Sequence, residues 1–145
     1  MPFPTDWKLK PVEGAEQISF GMSYDQVVSI LGEPDQPLSG LWRSDTKRAG
    51  WREGGLAIHF NPSVIFIEFS RDTGLVPKLL GIDVFSTPAA EVVTALESEG
   101  HSFDATDPEL GHTYVFPAIQ VGLWRQVLPE ADDDEEGRYL SLIHI

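Results

Sequence analysis

The apolar residues of this chain follow the same helical spacing in two separate stretches. In the first stretch, the apolar side chains at i, i+3, i+4 and i+7 are Tyr24, Val27, Val28 and Leu31. In the second stretch, they are Ala89, Val92, Val93 and Leu96. This spacing places each set on one side of an α-helix. The pattern therefore predicts two short amphipathic helices, offset by 65 residues.

Capping residues set the predicted ends of the first helix. Ser23 is a favourable N-cap, and Gln26 stands three residues later, where it completes a capping box. Gly32 suits a left-handed C-cap, and Pro34 prevents the helix from resuming. The first helix is therefore expected at 23–31.

The second helix has its own start and stop signals. Thr87 is expected to be its N-cap, and Pro88 then takes the first helical position, where the missing N–H costs nothing. Gly100 suits the end of the helix. The second helix is therefore expected at 88–99.

Apolar runs on either side of the two helices predict strands. In the first half, the runs lie at 18–20, 56–60 and 64–69, with one more strand that starts at Trp42 or Ala49 and ends at Arg52. In the second half, they lie at 82–85, 112–116, 118–124 and 138–145. The run at 64–69 is apolar at nearly every position, which predicts a central strand covered on both faces.

These elements predict an α+β fold made of two related strand–helix–strand–strand–strand units. We expect a mainly antiparallel sheet with both helices packed on one face. Residues 17–75 would form the first unit and residues 76–145 the second, after an N-terminal arm at 1–16 that is anchored by Trp7. A length of 145 residues is typical of a single domain, here 1–145.

The chain is strongly acidic, with a formal net charge of −13. The charge is concentrated in residues 76–145, where 3 Lys and Arg stand against 13 Asp and Glu. A field of this sign repels nucleic acid and anionic membranes and attracts basic partners. The alternative is that the charge only keeps the protein soluble.

An acidic segment lies between the last two predicted strands, where the first half has only a short turn. Its carboxylates are Glu130, Asp132, Asp133, Asp134, Glu135 and Glu136. Mutual repulsion favours an extended hairpin, and we expect this hairpin to contact a basic protein. The alternative is a solvated, variable loop without a role.

Part of the acidic segment resembles a calcium-binding loop. The first, third, fifth and sixth positions of an EF-hand loop are matched by Asp132, Asp134, Glu136 and Gly137. The twelfth position, which should be a bidentate Glu, is Ile143, and strands flank the loop instead of helices. We therefore predict no metal site and no cofactor.

Tryptophans are the other candidate contact residues, because Trp and Arg are favoured as interface anchors. Trp42 and Trp51 lie among the basic residues of 42–52, and Trp124 ends a predicted strand. The alternative is that Trp42 and Trp51 are buried beneath a basic hairpin. Stacking on nucleic-acid bases is disfavoured by the net charge.

No catalytic pattern stands out in the sequence. The four histidines, two of them in predicted strands facing solvent, lack metal-ligand spacing: His59, His101, His112 and His144. There is no Gly-x-Ser-x-Gly elbow for acyl transfer and no glycine-rich phosphate loop. We therefore expect the protein not to be an enzyme.

The chain has no cysteine, no signal-like start and no apolar run long enough to span a membrane. These features lead us to expect a soluble, cytoplasmic protein.

The residues around the first helix also carry a family resemblance. They are Phe20, Gly21, Met22, Ser23, Val27, Leu31, Gly32 and Pro34. This stretch resembles a motif found in small bacterial immunity proteins that neutralise contact-delivered toxins. The tandem plan is also similar to β-lactamase inhibitor protein and to the small lipoprotein of the outer-membrane β-barrel assembly machine. Because the chain has no cysteine for acylation or disulfides, the immunity proteins are the better match.

The resemblance implies a small cytoplasmic protein that binds one bacterial toxin and occludes its active site. The acidic second half would steer a basic toxin domain into contact. Two alternatives remain open: a protein-binding adaptor or structural domain, and an enzyme with an unrecognised site.

Overall fold

A computed structural model describes residues 3–40, 45–126 and 138–145 of the chain. The elements up to residue 70 are β1 (Asp6–Lys10), β2 (Gly14–Ala15), β3 (Ile18–Ser19), α1 (Tyr24–Leu31), β4 (Gln36–Gly40), β5 (Lys47–Trp51), β6 (Leu56–Phe60) and β7 (Val64–Ser70). The later elements are β8 (Val76–Leu79), β9 (Ile82–Asp83), α2 (Ala89–Ser98), β10 (Thr113–Phe116), β11 (Val121–Trp124) and β12 (Leu142–His144).

The strands form two sheets. The large sheet has seven antiparallel strands in the order β10-β11-β12-β7-β6-β5-β4. The small sheet has the order β3-β2-β1-β8-β9, in which only β1 and β8 run parallel. The predicted α+β class with a mainly antiparallel sheet is therefore confirmed.

Helix α1 follows the local signals of its sequence. The Ser23 hydroxyl accepts the Gln26 backbone N–H at 3.2 Å, and the Gln26 side chain accepts the Ser23 N–H at 2.9 Å. Gly32 ends the helix with a positive φ of 85° and donates its N–H to the Val28 carbonyl. The predicted capping box and helix end are confirmed.

The start of α2 differs from the prediction. Pro88 is its N-cap, and among the described residues no side chain makes a capping hydrogen bond there. The Ala89 N–H instead donates to the Arg138 carbonyl at 2.8 Å, and Pro88 forms an isolated bridge with Tyr139. The backbone at the end of the chain therefore takes the role that was expected of Thr87.

The regular structure departs from the predicted elements at three other places. The expected arm contains β1 and β2, because Trp7 and Leu9 are buried and hold this segment in the small sheet. The run at 118–124 does not start as a strand: a 3₁₀ turn covers Pro117–Ile119, Gln120 is left-handed, and β11 begins after it. Within the run at 138–145, only β12 is a strand.

One hydrophobic core lies on the inner side of the large sheet. The Trp7 ring of β1 packs 5.4 Å from Phe69 of β7, and the Tyr24 ring of α1 packs 5.5 Å from Phe60 of β6. Buried residues of α2, including Leu96, belong to the same core. The side chains that point away from this core remain on the opposite face of the large sheet.

The two halves of the described chain do not match strand for strand. Helix α1 is followed by four strands, β4 to β7, whereas α2 is followed by three, β10 to β12. The small sheet takes three strands from before α1 and two from before α2. The predicted repeat is therefore not confirmed.

The two borders of the large sheet are built differently. Beyond β10, the Asp104 N–H donates to the Val115 carbonyl at 2.8 Å, and Phe103 packs edge-on against Tyr114. At the other border stands β4, which contains Pro37 and is mostly exposed. A chain segment thus shields the β10 border.

Candidate binding face of the large sheet

Side chains along a strand point alternately to the two faces of a sheet. In β7, Ile67 and Phe69 are buried in the core, whereas Phe66 and Glu68 are half-buried and point away from it. The strand register extends this outer set across five strands. We call these residues the outer face: Arg48, His59, Phe66, Glu68, Gly122, Trp124, Leu142 and His144.

Three aromatic rings form a row across the outer face. Phe66 lies directly opposite His59 of β6, with ring centroids 4.7 Å apart. The ring of His144, on β12, is also 4.7 Å from that of Phe66, on its other side. The consecutive strands β6 and β7 and the distant strand β12 therefore contribute one continuous aromatic row.

A glycine beside this row makes room for one of its rings. Gly122 lies opposite His144, and a Cβ atom added at Gly122 would clash with the imidazole. The imidazole therefore lies directly over the backbone of β11. This packing fixes the ring against the sheet.

Partial burial changes the proton affinity of this face. Burial lowers the pKa of His59, and the nearby Arg48 and His144 lower it further. Burial also lowers the pKa of His144. The pKa of Glu68 is raised by burial and partly brought down again by Arg48. At neutral pH the face therefore combines two neutral imidazoles with one guanidinium and one carboxylate.

The charged groups of the face are not joined in an ion pair. The Arg48 guanidinium donates from Nη1 to Oε1 of Gln36 at 3.2 Å. Within residues 3–40, 45–126 and 138–145, the Glu68 carboxylate makes no hydrogen bond or salt bridge. A half-buried carboxylate therefore stands next to the aromatic row without a cation bound to it.

The structure separates the predicted tryptophan anchors. Trp51 is only 2% exposed, and its indole N–H donates to the Gly32 carbonyl at 3.0 Å. Its expected role as a contact residue is wrong, because it points inward from β5, beside Leu56 in the register. Trp124 is half-buried on the outer face, opposite Leu142.

The remaining predicted contact residues lie outside the described part of the chain. They are Trp42, Glu130, Asp132, Asp133, Asp134, Glu135 and Glu136.

Sequence reasoning did not find the outer face as a site. His59 and His144 were expected to point toward solvent, but nothing in the sequence indicated that Phe66 lies between them. The useful signal was the alternation of Phe66 and Glu68 with Ile67 and Phe69, which the apolar character of 64–69 hid.

Other features of the described residues do not form a competing site. Three cavities on the surface are lined by residues away from the outer face, and none of their linings includes a histidine. No three His, Asp or Glu side chains in the described ranges stand together as a metal site. No helix in the same ranges is long and apolar enough to cross a membrane.

Comparison with known proteins gave no match to a family model, a curated protein or a solved structure. The outer face and the charge of the chain are therefore the features from which a function can be inferred.

Proposed function

We propose that this chain is a non-enzymatic inhibitor or immunity protein that binds a basic bacterial toxin through its outer face. In this proposal the bound chain occludes the active site of the toxin. The observation that carries the proposal is the half-buried aromatic row at His59, Phe66 and His144, on a sheet of a strongly acidic molecule.

The composition of the outer face is suited to protein contact. Interface centres are enriched in aromatic residues and contain few charges. Phe66 and Trp124 supply large apolar surfaces, and the two imidazoles add aromatic area that is neutral at neutral pH. A seven-stranded sheet holds these side chains in place before a partner arrives, which lowers the entropic cost of binding.

The distribution of charge among the described residues favours binding of a basic partner. Between Lys78 and Arg125 the chain has no Lys or Arg, and its carboxylates there are Asp83, Glu91, Glu97, Glu99, Asp104, Asp107 and Glu109. Negative charge that is concentrated in this way speeds the encounter with a positive surface. The six carboxylates of 130–136 would add to the same field.

The proposal includes the expected relationship between the two halves. Each half has a two-residue strand directly before its helix, β3 before α1 and β9 before α2. The last strands of the halves, β7 and β12, pair at the centre of the large sheet. This arrangement supports two related units that join their sheets into one binding surface. A cytoplasmic location belongs to the same proposal.

Identification of the partner is the first experiment. The full chain with an N-terminal tag is used to capture proteins from an extract of its source, and the captured protein is then purified. The proposal expects a basic protein that binds at one to one and loses its activity when bound. A partner that keeps its activity would favour the adaptor alternative, and an acidic partner would contradict the proposal.

Two apolar residues, one on the outer face and one away from it, provide a matched test of the face. Trp124→Ala is expected to weaken binding by at least about tenfold, because truncating an aromatic anchor costs about 2 kcal/mol or more. Leu80→Ala serves as the control, since Leu80 is 48% exposed and lies in the small-sheet turn between β8 and β9. Calorimetric titration measures both affinities. Equal affinities for the two variants would contradict the outer face as the contact surface.

The acidic segment is tested through the rate of association. Replacing residues 132–136 with Gly and Ser is expected to slow association about tenfold or more at low salt and to leave dissociation nearly unchanged. Stopped-flow measurements across a range of salt concentrations give both rates. An association rate that is the same for both chains would show that these carboxylates do not steer the partner.

A further inference from the structure

The Glu68 carboxylate occupies a central position on the outer face. Its strand, β7, is the middle strand of the seven. Its neighbours in the register are Ala57 of β6 and His144 of β12. Phe66 stands two residues before it on the same face. The carboxylate therefore has a small residue on the β6 side, an imidazole on the β12 side and the Phe66 ring next to it along the strand.

These surroundings leave the Glu68 carboxylate without a hydrogen-bond donor among the described residues. Glu68 is half-buried, which weakens its hydration and raises its pKa. Its nearest positive influence is Arg48, whose guanidinium is directed to the Gln36 side chain instead. A partly desolvated carboxylate gains most from a cation that brings its own hydrogen-bond donors.

The rings beside Glu68 favour one kind of cation. Guanidinium groups already lie over half-buried rings elsewhere in this molecule: Arg52 is 4.9 Å from the Phe3 ring centre, and Arg71 is 4.8 Å from that of Tyr139. The Phe66 ring has no such partner among the described residues. A planar guanidinium can donate two hydrogen bonds to a carboxylate and also stack on an aromatic ring, which a lysine ammonium cannot do as well.

From these observations we propose that Glu68, Phe66 and His144 form a subsite that receives one arginine side chain of the partner. The inference rests on the proposed function, because it requires a basic partner. The arginine enters from the β12 side of Glu68, since Arg48 and Gln36 occupy the β5 side. The neutral state of the two imidazoles is necessary, because protonated rings would repel the guanidinium.

The subsite is tested with small probes on the full chain. N-acetyl-arginine amide is titrated into isotope-labelled protein and followed by NMR, beside N-acetyl-lysine amide and N-acetyl-citrulline amide. The arginine probe is expected to shift the signals of Glu68, Phe66 and His144 and to saturate. The lysine probe should bind several-fold more weakly, and the uncharged citrulline probe should leave the same signals unmoved. Equal shifts from all three probes would overturn the inference.

Matched variants separate the subsite from the overall charge. Glu68→Gln is expected to weaken binding of the arginine probe about tenfold, whereas Glu13→Gln removes the same charge from the exposed turn between β1 and β2 and should leave the affinity unchanged. Glu68→Asp keeps the charge but shortens the side chain, so an intermediate affinity is expected. If Glu13→Gln weakens binding as much as Glu68→Gln does, the effect is one of net charge and the subsite is wrong. Unchanged amide spectra verify that each variant is folded.

The subsite and the proposed function can fail separately. If Trp124→Ala weakens binding of the partner and Glu68→Gln does not, the outer face binds the partner without this subsite. If no basic partner is found, the proposed function fails, and the titration with the arginine probe still decides whether the subsite exists.

The pH dependence of probe binding gives a second readout. The titratable and charged groups around the subsite are Arg48 on β5, His59 on β6, Glu68 on β7 and His144 on β12. Acidification protonates the imidazoles and the carboxylate, so affinity for the arginine probe should fall as the pH drops. Affinity that is constant between neutral pH and about pH 4.5 would contradict the subsite.

Discussion

Gly122 shows how one residue shapes the outer face. Any side chain at this position would occupy the space of the His144 imidazole, which lies over the β11 backbone. The glycine is not required by its φ, which is not in the positive range. The close approach of a ring accounts for the glycine, and the consequence is that His144 is held beside Phe66.

We predict that Gly122→Ala displaces the His144 ring into solvent. The expected cost is about 1–3 kcal/mol of unfolding free energy, as for other insertions into a packed site. The pKa of His144 should rise toward its ordinary value, because burial is what lowers it. Urea denaturation and an NMR titration of the imidazole measure the two effects.

Gly40→Ala is the control for this substitution. Gly40 lies in β4 of the same sheet, and no described residue has an atom within 4 Å of a Cβ atom added there. The unfolding free energy of the Gly40→Ala variant should change by no more than about 0.5 kcal/mol. An unaltered His144 pKa in the Gly122→Ala variant would show that the glycine does not position the ring.

At the scale of elements, α1 owes its start to its own sequence. Both reciprocal bonds of the capping box are made between residues three positions apart, Ser23 and Gln26. Two of the N–H groups that a helix leaves without partners at its start are thereby satisfied locally. The helix has only eight residues, so this contribution is a large part of what defines its first turn.

We predict that Ser23→Ala lowers the unfolding free energy by about 1 kcal/mol, because the cap is lost. Ser29→Ala is the matched control in the same helix: its hydroxyl only donates to the Gln26 carbonyl, which the helix already uses. Alanine is the better helix former, so the control should lie within about 0.5 kcal/mol of the parent chain. Urea midpoints of the three chains decide the matter, and equal losses from both serines would contradict the capping role.

The elements also show which parts of the fold could be predicted. Helix α1 and the strand at 56–60 were recognisable because their signals are local: caps in one case and alternation in the other. The start of α2 was not, because its first N–H bonds to Arg138, about fifty residues further along the chain. Trp51 and Trp124 could not be told apart for a similar reason. Which of them points inward depends on the register of strands that the sequence does not pair.

At the scale of the whole molecule, the titratable groups of the outer face affect stability in opposite directions. The lowered pKa of His59 and His144 means that the unfolded chain binds more protons below about pH 6.5. Their contribution to stability is therefore present above that pH and is lost as the pH falls toward the lowered pKa. Glu68 has a raised pKa, so its contribution is present at low pH and is lost as the pH rises through that pKa.

We predict that a double variant, His59→Gln with His144→Gln, loses less stability on acidification than the parent chain does. The difference should develop from about pH 6.5 downward, where the unfolded histidines take up protons. Urea midpoints at each pH, compared between the two chains, cancel the contribution of the other carboxylates. Parallel curves for the two chains would contradict the burial of these imidazoles.

The unequal borders of the large sheet limit how copies of this protein could associate. The β10 border already has the Asp104 backbone bonded to it, whereas β4 ends the sheet on the other side. A sheet that can grow from only one side cannot polymerise, since two copies joined through β4 would present two shielded borders. Edge-to-edge pairing of large sheets would therefore stop at two copies, and further growth of that sheet would require the Asp104 backbone to leave β10 first.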